Sequence, residues 1–251
     1  MMTDRCGLSV AFSGALFAWP YQAGVASFMQ QRGFFDEDSH FYGTSSGAIV
    51  ATMLACGVDI ARVGFAAALE ANARAAGGRK NPLFRPANVL ATYFKIFGGA
   101  LPADAHLRAS GRLFVRVTHV RSLQRILISQ FATRQALLDA LGASIAIPGI
   151  TVTFAHKVEA LGWCIDGGPD VPDDDRPGVH TVRAGVGPRI PGVKPDHIMP
   201  SRSIGVEHRL MLLPVERRRE LFDLGFADAR CHLGDVRQSE NQLEERIAKA
   251  G

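Results

Sequence analysis

Gly43-Thr44-Ser45-Ser46-Gly47 lies between a short aromatic run and a long apolar run of this 251-residue chain. The apolar run, residues 48–56, contains no helix breaker before Gly57 and is typical of a buried helix. A serine between two glycines, on a turn from strand to helix, is the pattern of a nucleophile elbow, and the helix N-terminus favours developing negative charge. The stretch therefore predicts Ser45 as a nucleophile. The alternative is a glycine-serine turn that caps a core helix.

The elbow belongs to a strand-helix-strand-helix beginning. Gly7–Phe12 is short and apolar and predicts a buried strand, and Tyr21–Gln31 predicts a helix that ends before Gly33. Such an alternation implies parallel strands with helices packed on them, so we predict an α/β fold with a mainly parallel central sheet and helices on both faces. The following segments predict further elements: strands over Leu113–Val120, Arg125–Phe131, Gly162–Ile165 and His180–Arg183, and a helix capped by Thr133 that ends at Leu141.

The C-terminal third of the chain is more irregular. Residues 169–207 are rich in proline and glycine and predict a loop region around the strand that begins at His180. We expect a last core strand over Arg209–Leu213, then helices over Glu216–Leu233 and Gln238–Ala250. In the first of these helices, Arg217-Arg218-Arg219 is predicted to form a solvated face. We expect residues 1–251 to form one domain.

Composition sets limits on partners and location. Hydrophobic residues make up 47% of the chain, and the net charge of +4 is too mild to indicate nucleic acid. Cys6, Cys56, Cys164 and Cys231 are far apart and predict buried free thiols in a reducing compartment. No signal-type segment and no membrane-spanning run is apparent, so we expect a cytoplasmic location. Contact with a membrane or lipid-droplet surface would then be peripheral, and the sequence does not indicate an oligomeric state.

A serine nucleophile needs a base, and Asp166-Gly167-Gly168 supplies a candidate at the end of a predicted strand. Two glycines after the aspartate allow its carboxylate to lie against another backbone segment. A free aspartate is a weak base with a pKa near 3.9, so burial would have to raise that pKa. The alternative is an aspartate that starts an ordinary turn.

Four stretches in this order resemble the patatin-like phospholipase family: residues 12–25, Gly43–Gly47, Ala143-Ser-Ile-Ala-Ile-Pro-Gly149 and Asp166–Gly168. The resemblance runs from about residue 7 to 168. It implies a three-layer fold and a histidine-free dyad in which Ser45 is the nucleophile and Asp166 the base. It further implies a lipid acyl hydrolase of the phospholipase A or lipase type, which cleaves fatty-acyl esters through an acyl-enzyme without a metal or organic cofactor.

The chain departs from the family at the glycine-rich loop whose backbone amides form the oxyanion hole. The matching segment reads Gly14-Ala15-Leu16-Phe17-Ala18-Trp19, so only the first glycine of the family pattern is present. Because backbone amides do not depend on side-chain identity, we expect the oxyanion hole to comprise Gly14, Ala15, Leu16 and the amide of Ser46. This requires Ala15 and Leu16 to adopt the backbone conformation of a glycine.

Two other functional readings stay open. A catalytically silent lipid-binding or interaction module would keep the fold without the chemistry. An α/β-hydrolase triad would use Asp166 with one of three later histidines, His180, His197 or His208.

Three smaller features complete the sequence-based expectations. Asn88–Phe97 is an aromatic segment that suits either a lid or a helix packed on the core. Asp173-Asp174-Asp175 lacks the spacing of a calcium loop and predicts a solvated turn. The histidines His106, His119 and His156 lack metal-ligand spacing, so we predict no metal site.

Overall fold

A computed structural model of the protein describes residues 8–66, 70, 96–177, 179–187, 197–211 and 213–250, with side chains described as far as residue 234. The strands are β1 (Leu8–Phe12), β2 (Phe41–Thr44), β3 (Leu113–His119), β4 (Arg125–Ile128), β5 (His156–Val158), β6 (Gly162–Asp166) and β7 (His180–Ala184). The helices are α1 (Trp19–Gln31), α2 (Ser46–Ala55), α3 (Ala105–Ala109), α4 (Arg134–Ser144), α5 (Val206–Leu210) and α6 (Val215–Ala250). A 3-10 turn, Leu16–Ala18, precedes α1, and a π-helical turn, Ile60–Gly64, follows α2.

Seven strands form one sheet in the order β5-β6-β3-β2-β1-β7, and β4 also pairs with β3. Strands β7, β1, β2 and β3 are mutually parallel, as their strand-helix connections require. Strands β4, β6 and β5 run antiparallel to their neighbours. The predicted α/β class, with a mostly parallel central sheet and helices around it, is confirmed.

Strand β3 determines where two other strands end. Its Arg116 lies opposite Thr44 of β2 and Leu127 of β4, and its next residue, Val117, lies opposite Asp166 of β6 as well as a residue of β4. A strand residue has one neighbour on each edge, so β2 and β6 must share the edge that β4 does not occupy. They approach along this edge from opposite directions. The last residue of β6 therefore meets the turn that follows β2.

The main core lies on one face of the sheet. Inward-facing residues such as Val10, Phe12 and Val115 pack there with α1, α2, α4 and α6. Every residue of α2 is buried, as its apolar sequence predicts. The other face carries Tyr42 stacked on Phe114, with ring centroids 4.5 Å apart, beneath the segment that follows β6. Alternating strand residues thus separate the helical core from a smaller second cluster.

Helices α1 and α6 pack with their backbones in direct contact. A Cβ atom on Gly24 of α1 would overlap the carbonyl oxygen of Phe222, and one on Gly225 of α6 would overlap that of Tyr21. Only glycine permits this approach. The two glycines therefore fix the place where the C-terminal helix crosses the first helix.

Two predicted C-terminal elements are wrong. The expected strand over Arg209–Leu213 is incorrect, because Arg209 and Leu210 end helix α5; a short apolar run has no periodicity that separates strand from helix. The expected break before Gln238 is absent from α6, which is continuous to Ala250. Gly234 alone disfavours a helix by only about 1 kcal/mol relative to alanine, too little to end it.

Burial corrects two further predictions. Arg218 is not solvated: its side chain is buried, and its Nε atom donates a hydrogen bond to Leu213 O at 2.8 Å. Cys56 and Cys164 are buried free thiols as predicted, whereas Cys231 is exposed. Cys6 lies outside the described residues.

The lid or core-helix segment, Asn88–Phe97, falls outside the described residues up to position 95. Its described end contributes Phe97, which is buried in the main core. Within the described ranges, no helix combines the length and the apolar character needed to cross a bilayer.

The crossing of α1 and α6 gives a test of the fold. We expect Gly225→Ala to lower the free energy of unfolding by about 1–3 kcal/mol, because the added methyl group would overlap the α1 backbone. Gly234→Ala is the matched control on the same helix, since a Cβ there meets nothing within 4 Å, and it should stabilise by up to about 1 kcal/mol. Urea denaturation measures both, and equal midpoints for the two variants would contradict the packing.

Candidate active site

Ser45 occupies a strained turn between β2 and α2. Its φ is 57° and its ψ is −134°, in a region that L-residues rarely adopt and that costs of order 1–3 kcal/mol. The flanking glycines make the turn possible. A Cβ on Gly43 would overlap Ala48 of α2, and one on Gly47 would overlap the Phe12 carbonyl at the end of β1. This turn places the buried Ser45 side chain at the sheet edge and at the N-terminus of α2.

Asp166 ends β6 and is held there by its backbone and its side chain. Its N–H donates to Ala146 O at 3.0 Å, and its Oδ1 atom accepts from Gly168 N at 2.8 Å. Burial is the largest influence on the carboxyl and raises the pKa of Asp166 to about 6, while hydrogen bonds from the Ser45 hydroxyl and Gly168 N–H act to lower that pKa. Asp166 is thus a stronger base than a solvent-exposed aspartate.

The structure brings Ser45 and Asp166 together. The Ser45 hydroxyl is the side-chain group close enough to the Asp166 carboxylate to lower its pKa. Among the described residues, the buried Oδ2 atom of Asp166 accepts no hydrogen bond. Catalytic hydrogen bonds are often loose before substrate binds, and an unpaired buried oxygen beside a hydroxyl is suited to accept its proton.

The loop after β1 supplies the expected oxyanion-hole residues with one difference. Leu16 adopts a φ of 51°, the left-handed conformation that the sequence comparison requires at this position. Leu16 and Ser46 each begin a helix, so their N–H groups have no acceptor within that helix. Ala15 differs, because its N–H donates to the Ser46 hydroxyl at 3.1 Å. Leu16 therefore takes the conformation expected of glycine, whereas Ala15, with a φ of −124°, does not, and its N–H is engaged.

Three further glycines bring the loop and the aspartate turn against each other. A Cβ on Gly14 would lie 3.2 Å from Gly168 O and 3.4 Å from the Ser45 Cβ, so these three residues are in contact. A Cβ on Gly167 would lie 2.5 Å from Arg116 O of β3 and overlap it, so only glycine fits at this position. Gly168 itself has a φ of 90°. The Asp166 turn and the Gly14 loop thus converge on the serine.

A cavity of about 30 Å³ opens beside the two serines of the elbow. Apart from the hydroxyls of Ser45, Ser46 and Thr151, its wall is apolar and consists of Leu16, Phe17, Ile49, Ile145, Ile147 and Ile150. Three of these isoleucines follow α4, two of them within the Ala143–Gly149 stretch. A cavity of this size holds about one water-sized group, so its apolar wall suits only the part of an acyl chain next to the carbonyl.

Ser144, to which the sequence pattern gave no role, holds the turn at Ser45 through hydrogen bonds. Its hydroxyl accepts from Ser45 N at 2.9 Å and donates to Arg116 O at 2.7 Å, and its side chain is fully buried. It thus connects the end of α4, the elbow and β3. The sequence feature that could have predicted this role is a single serine in an apolar run. Such a serine is buried, and a buried hydroxyl requires hydrogen-bond partners.

The segment after Gly168 is anchored by charges, and of the predicted solvated turn Asp173–Asp175 only Asp175 is exposed. Asp170 accepts from Arg116 Nη1 at 3.0 Å, and its backbone oxygen accepts from Thr44 Oγ1 at 2.8 Å. Asp174 is buried, so its assignment to a solvated turn is wrong. Burial alone would raise the pKa of Asp174, but hydrogen bonds from Arg176 and Ser9 hold it well below its ordinary value.

None of the three histidines of the triad alternative is bonded to Ser45 or Asp166. His180 lies opposite Leu8 at the start of β1, which is the far end of the sheet from the elbow. His197 accepts from Arg183 N at 3.3 Å, and His208 pairs with Glu207 at 3.2 Å. Within the described part of the chain, no cluster of three or more histidine, cysteine or acidic residues is arranged to hold a metal ion.

Comparisons with known proteins show what this chain is similar to. A family model described as Patatin-like phospholipase matches residues 10–171. Patatin-like phospholipase domain-containing protein 2 of Rattus norvegicus is 34% identical over 162 residues, which cover 64% of this chain and 34% of that protein. Omega-hydroxyceramide transacylase of Mus musculus is 28% identical over 145 residues, or 56% of this chain and 24% of that protein. The chain thus spans about a third or less of the length of these relatives.

A solved structure shares the fold at low identity. VipD from Legionella pneumophila matches with a TM-score of 0.54 and 14% identity, and the match covers 91% of this chain and 67% of that chain. At this identity the likeness concerns the fold alone.

The contacts of Ser144 give a stability prediction. Ser144→Ala would leave the buried Ser45 N–H without its acceptor and remove the bond to Arg116 O, so we expect the free energy of unfolding to fall by about 1–3 kcal/mol. The control is Ser122→Ala, whose exposed hydroxyl bonds to His119, and it should change stability by less than about 0.5 kcal/mol. An unaltered urea midpoint for Ser144→Ala would show that these bonds contribute nothing.

The raised pKa of Asp166 predicts a pH-dependent effect of Asp166→Asn. Because the pKa rises from 3.8 to about 6 on folding, the folded state binds the proton more tightly, and wild-type stability falls as pH increases from about 4 to 6. Asparagine carries no charge, so the free energy of unfolding of the variant should rise relative to that of wild type through this window. Above pH 7 the variant should be more stable by roughly 3 kcal/mol. Urea denaturation at pH 4.5 and 8 measures the gain, and a pH-independent difference would contradict it.

Proposed function

This chain belongs to the patatin-like phospholipase family, and on that premise we propose that it is a serine lipid acyl hydrolase in which Ser45 and Asp166 form the catalytic dyad. The observation that carries the proposal is the meeting of β2 and β6 on one edge of β3, which sets the elbow serine against a buried carboxylate. The family supports the reaction class, and the geometry of the site supports the roles proposed for the residues.

In the acylation step, Ser45 Oγ attacks the carbonyl carbon of a fatty-acyl ester while Asp166 takes the hydroxyl proton. The new bond joins Oγ to carbon, and the π electron pair of the carbonyl moves to its oxygen. The N-terminus of α2 and the amides of Gly14 and Leu16 stabilise this oxyanion. When the pair returns, the bond to the alcohol oxygen breaks, and the alcohol leaves with the proton held by Asp166.

In the deacylation step, water replaces the alcohol. The water oxygen attacks the acyl-enzyme carbonyl while Asp166 takes one proton from that water. A second oxyanion forms at the same position. Collapse breaks the bond to Ser45 Oγ, which recovers its proton from Asp166. The products are a free fatty acid and the regenerated serine. The residues of the dyad complete both steps, and the proposal includes no metal or organic cofactor.

The substrate class rests on the cavity. Its wall of leucine, phenylalanine and isoleucine side chains suits the apolar start of a fatty-acyl chain, and Ser45, Ser46 and Thr151 provide its hydroxyl groups. The partner is therefore a lipid ester, presented in solution or at a membrane or lipid-droplet surface that the protein contacts peripherally. A hydrophobic cavity discriminates weakly between chains that differ by one methylene, so the proposal covers phospholipid and neutral-lipid esters alike.

The proposal predicts hydrolysis of a medium-chain p-nitrophenyl ester by wild type. Ser45→Ala should lower kcat by at least about 10³-fold, because no other group is set to form the acyl-enzyme. Ser27→Ala, which removes a buried hydroxyl from α1, is the control and should keep kcat within about twofold. If folded wild type and Ser45→Ala both fail to hydrolyse the ester and bind lipid vesicles equally, the lipid-binding module would be favoured instead.

The pH profile tests the base. The ionised form of Asp166 accepts the proton, so kcat/KM should rise as pH passes about 6, level off above about 7, and fall about tenfold per pH unit in the acid range. Asp166→Asn should lose the activity, since the amide cannot take the serine proton. A wild-type profile that is flat between pH 5 and 8, or an active Asp166→Asn variant, would remove Asp166 from this role.

A further inference from the structure

We infer that the hydroxyl of Ser46 is itself a donor in the oxyanion hole, in place of the Ala15 amide expected from the family pattern. The inference rests on the proposed function, because it assigns one more residue to the same reaction. It concerns the side chain of Ser46, whereas the sequence analysis used only its backbone amide. The loop that departs from the family sequence thus gains a donor from the elbow.

The first observation is that the Ala15 amide is engaged. Its N–H donates to Ser46 Oγ at 3.1 Å, and both residues are buried, with exposures of 2% for Ala15 and 7% for Ser46. A backbone amide has one proton to donate. While this bond persists, the Ala15 amide cannot also stabilise an oxyanion.

The second observation is that the proton of the Ser46 hydroxyl is uncommitted. Within the described residues, Ser46 Oγ accepts the bond from Ala15 and takes part in no other. A serine hydroxyl carries one donor as well as its acceptor lone pairs, and the donor rotates to suit a partner. Ser46 lines the same cavity as Ser45, so this proton is available on the side where the ester would bind.

The other serine and threonine hydroxyls at the cavity are already engaged. Thr151 Oγ1 donates to Ile145 O at 2.5 Å and accepts from Ile147 N at 2.8 Å. The Ser45 hydroxyl lies beside Asp166, to which it gives its proton in the proposed reaction. Of the hydroxyls that the described residues place around the cavity, Ser46 is therefore the one whose proton stays available to an oxyanion.

The hydrogen bond from Ala15 prepares Ser46 for this role. An N–H donated to a hydroxyl oxygen polarises the O–H bond and strengthens it as a donor. Ser46 also follows the nucleophile directly, so its hydroxyl and its backbone N–H both lie at the N-terminus of α2, where negative charge is favoured. When the carbonyl π pair moves onto oxygen, Ser46 donates a hydrogen bond and keeps its proton.

A purely structural role for Ser46 predicts the opposite kinetic result. If the hydroxyl only accepts the bond from Ala15, then Ser46→Ala frees the Ala15 N–H, which can stabilise the oxyanion in the way expected from the family. Activity would then persist or increase. If the hydroxyl is the donor, the same substitution removes it, and loss of one oxyanion-hole donor lowers rates by about 10²–10³-fold.

The experiment compares kcat and KM of wild type, Ser46→Ala and Ser46→Thr on p-nitrophenyl butyrate, with Ser45→Ala as the inactive reference. We expect Ser46→Ala to lower kcat by about 10²-fold with KM within about threefold, because the donor acts on the transition state. Ser46→Thr keeps a hydroxyl and should retain at least about a tenth of wild-type kcat. Thermal unfolding of each variant verifies that it is folded.

A matched thionoester adds a readout that loss of structure would not move. Sulfur accepts hydrogen bonds more weakly than oxygen, so removal of a donor should lower the ratio of the oxygen-ester rate to the thionoester rate. Unchanged or higher kcat in Ser46→Ala overturns the inference, as does a loss of kcat with an unchanged ratio. Wild type as silent as Ser45→Ala overturns the proposed function itself, and the role of Ser46 with it.

Discussion

One edge of β3 is shared end to end by β2 and β6, and the position of every group in the site depends on this arrangement. Strand β2 is parallel to β3 and delivers Ser45, whereas β6 is antiparallel and delivers Asp166 from the other direction. Neither strand can extend without displacing the other. The serine hydroxyl and the carboxylate therefore meet at a junction fixed by main-chain hydrogen bonds, which are far stiffer than a contact between two surface loops.

The junction requires several backbones in direct contact, and the chain bears strain to keep them there. Gly43, Gly47 and Gly167 lie where a side chain would overlap a neighbouring main chain. Ser45 and Leu16 adopt positive φ without being glycine, which costs of order 1–3 kcal/mol for each residue. The burial of α2 and the two hydrogen bonds of Ser144 offset that strain. A strained serine held from several sides has the fixed position that its proposed role as a nucleophile requires.

Charge anchors the opposite side of the site. The segment after Gly168 crosses the second face of the sheet, where Asp170 pairs with Arg116 and the buried Asp174 accepts from Ser9 and Arg176. These carboxylates differ from Asp166 in one respect: they have cationic partners, whereas Asp166 has none among the groups that shift its pKa. Burial without a cation raises the pKa of Asp166 toward neutrality, and this separates the proposed base from the structural acids.

The sequence alone predicted the α/β class, the family, the strand that ends in Asp166 and the elbow at Ser45, because each is encoded in a short window by apolar periodicity and glycine placement. Tertiary structure decided the rest. Ser144 acquired its role, and Asp174 its burial, through partners that lie far away in the sequence. The same holds for the hydrogen bond from Ala15 to Ser46, which joins residues 31 positions apart. No local pattern encodes such contacts, since they arise only when the sheet brings separate loops together.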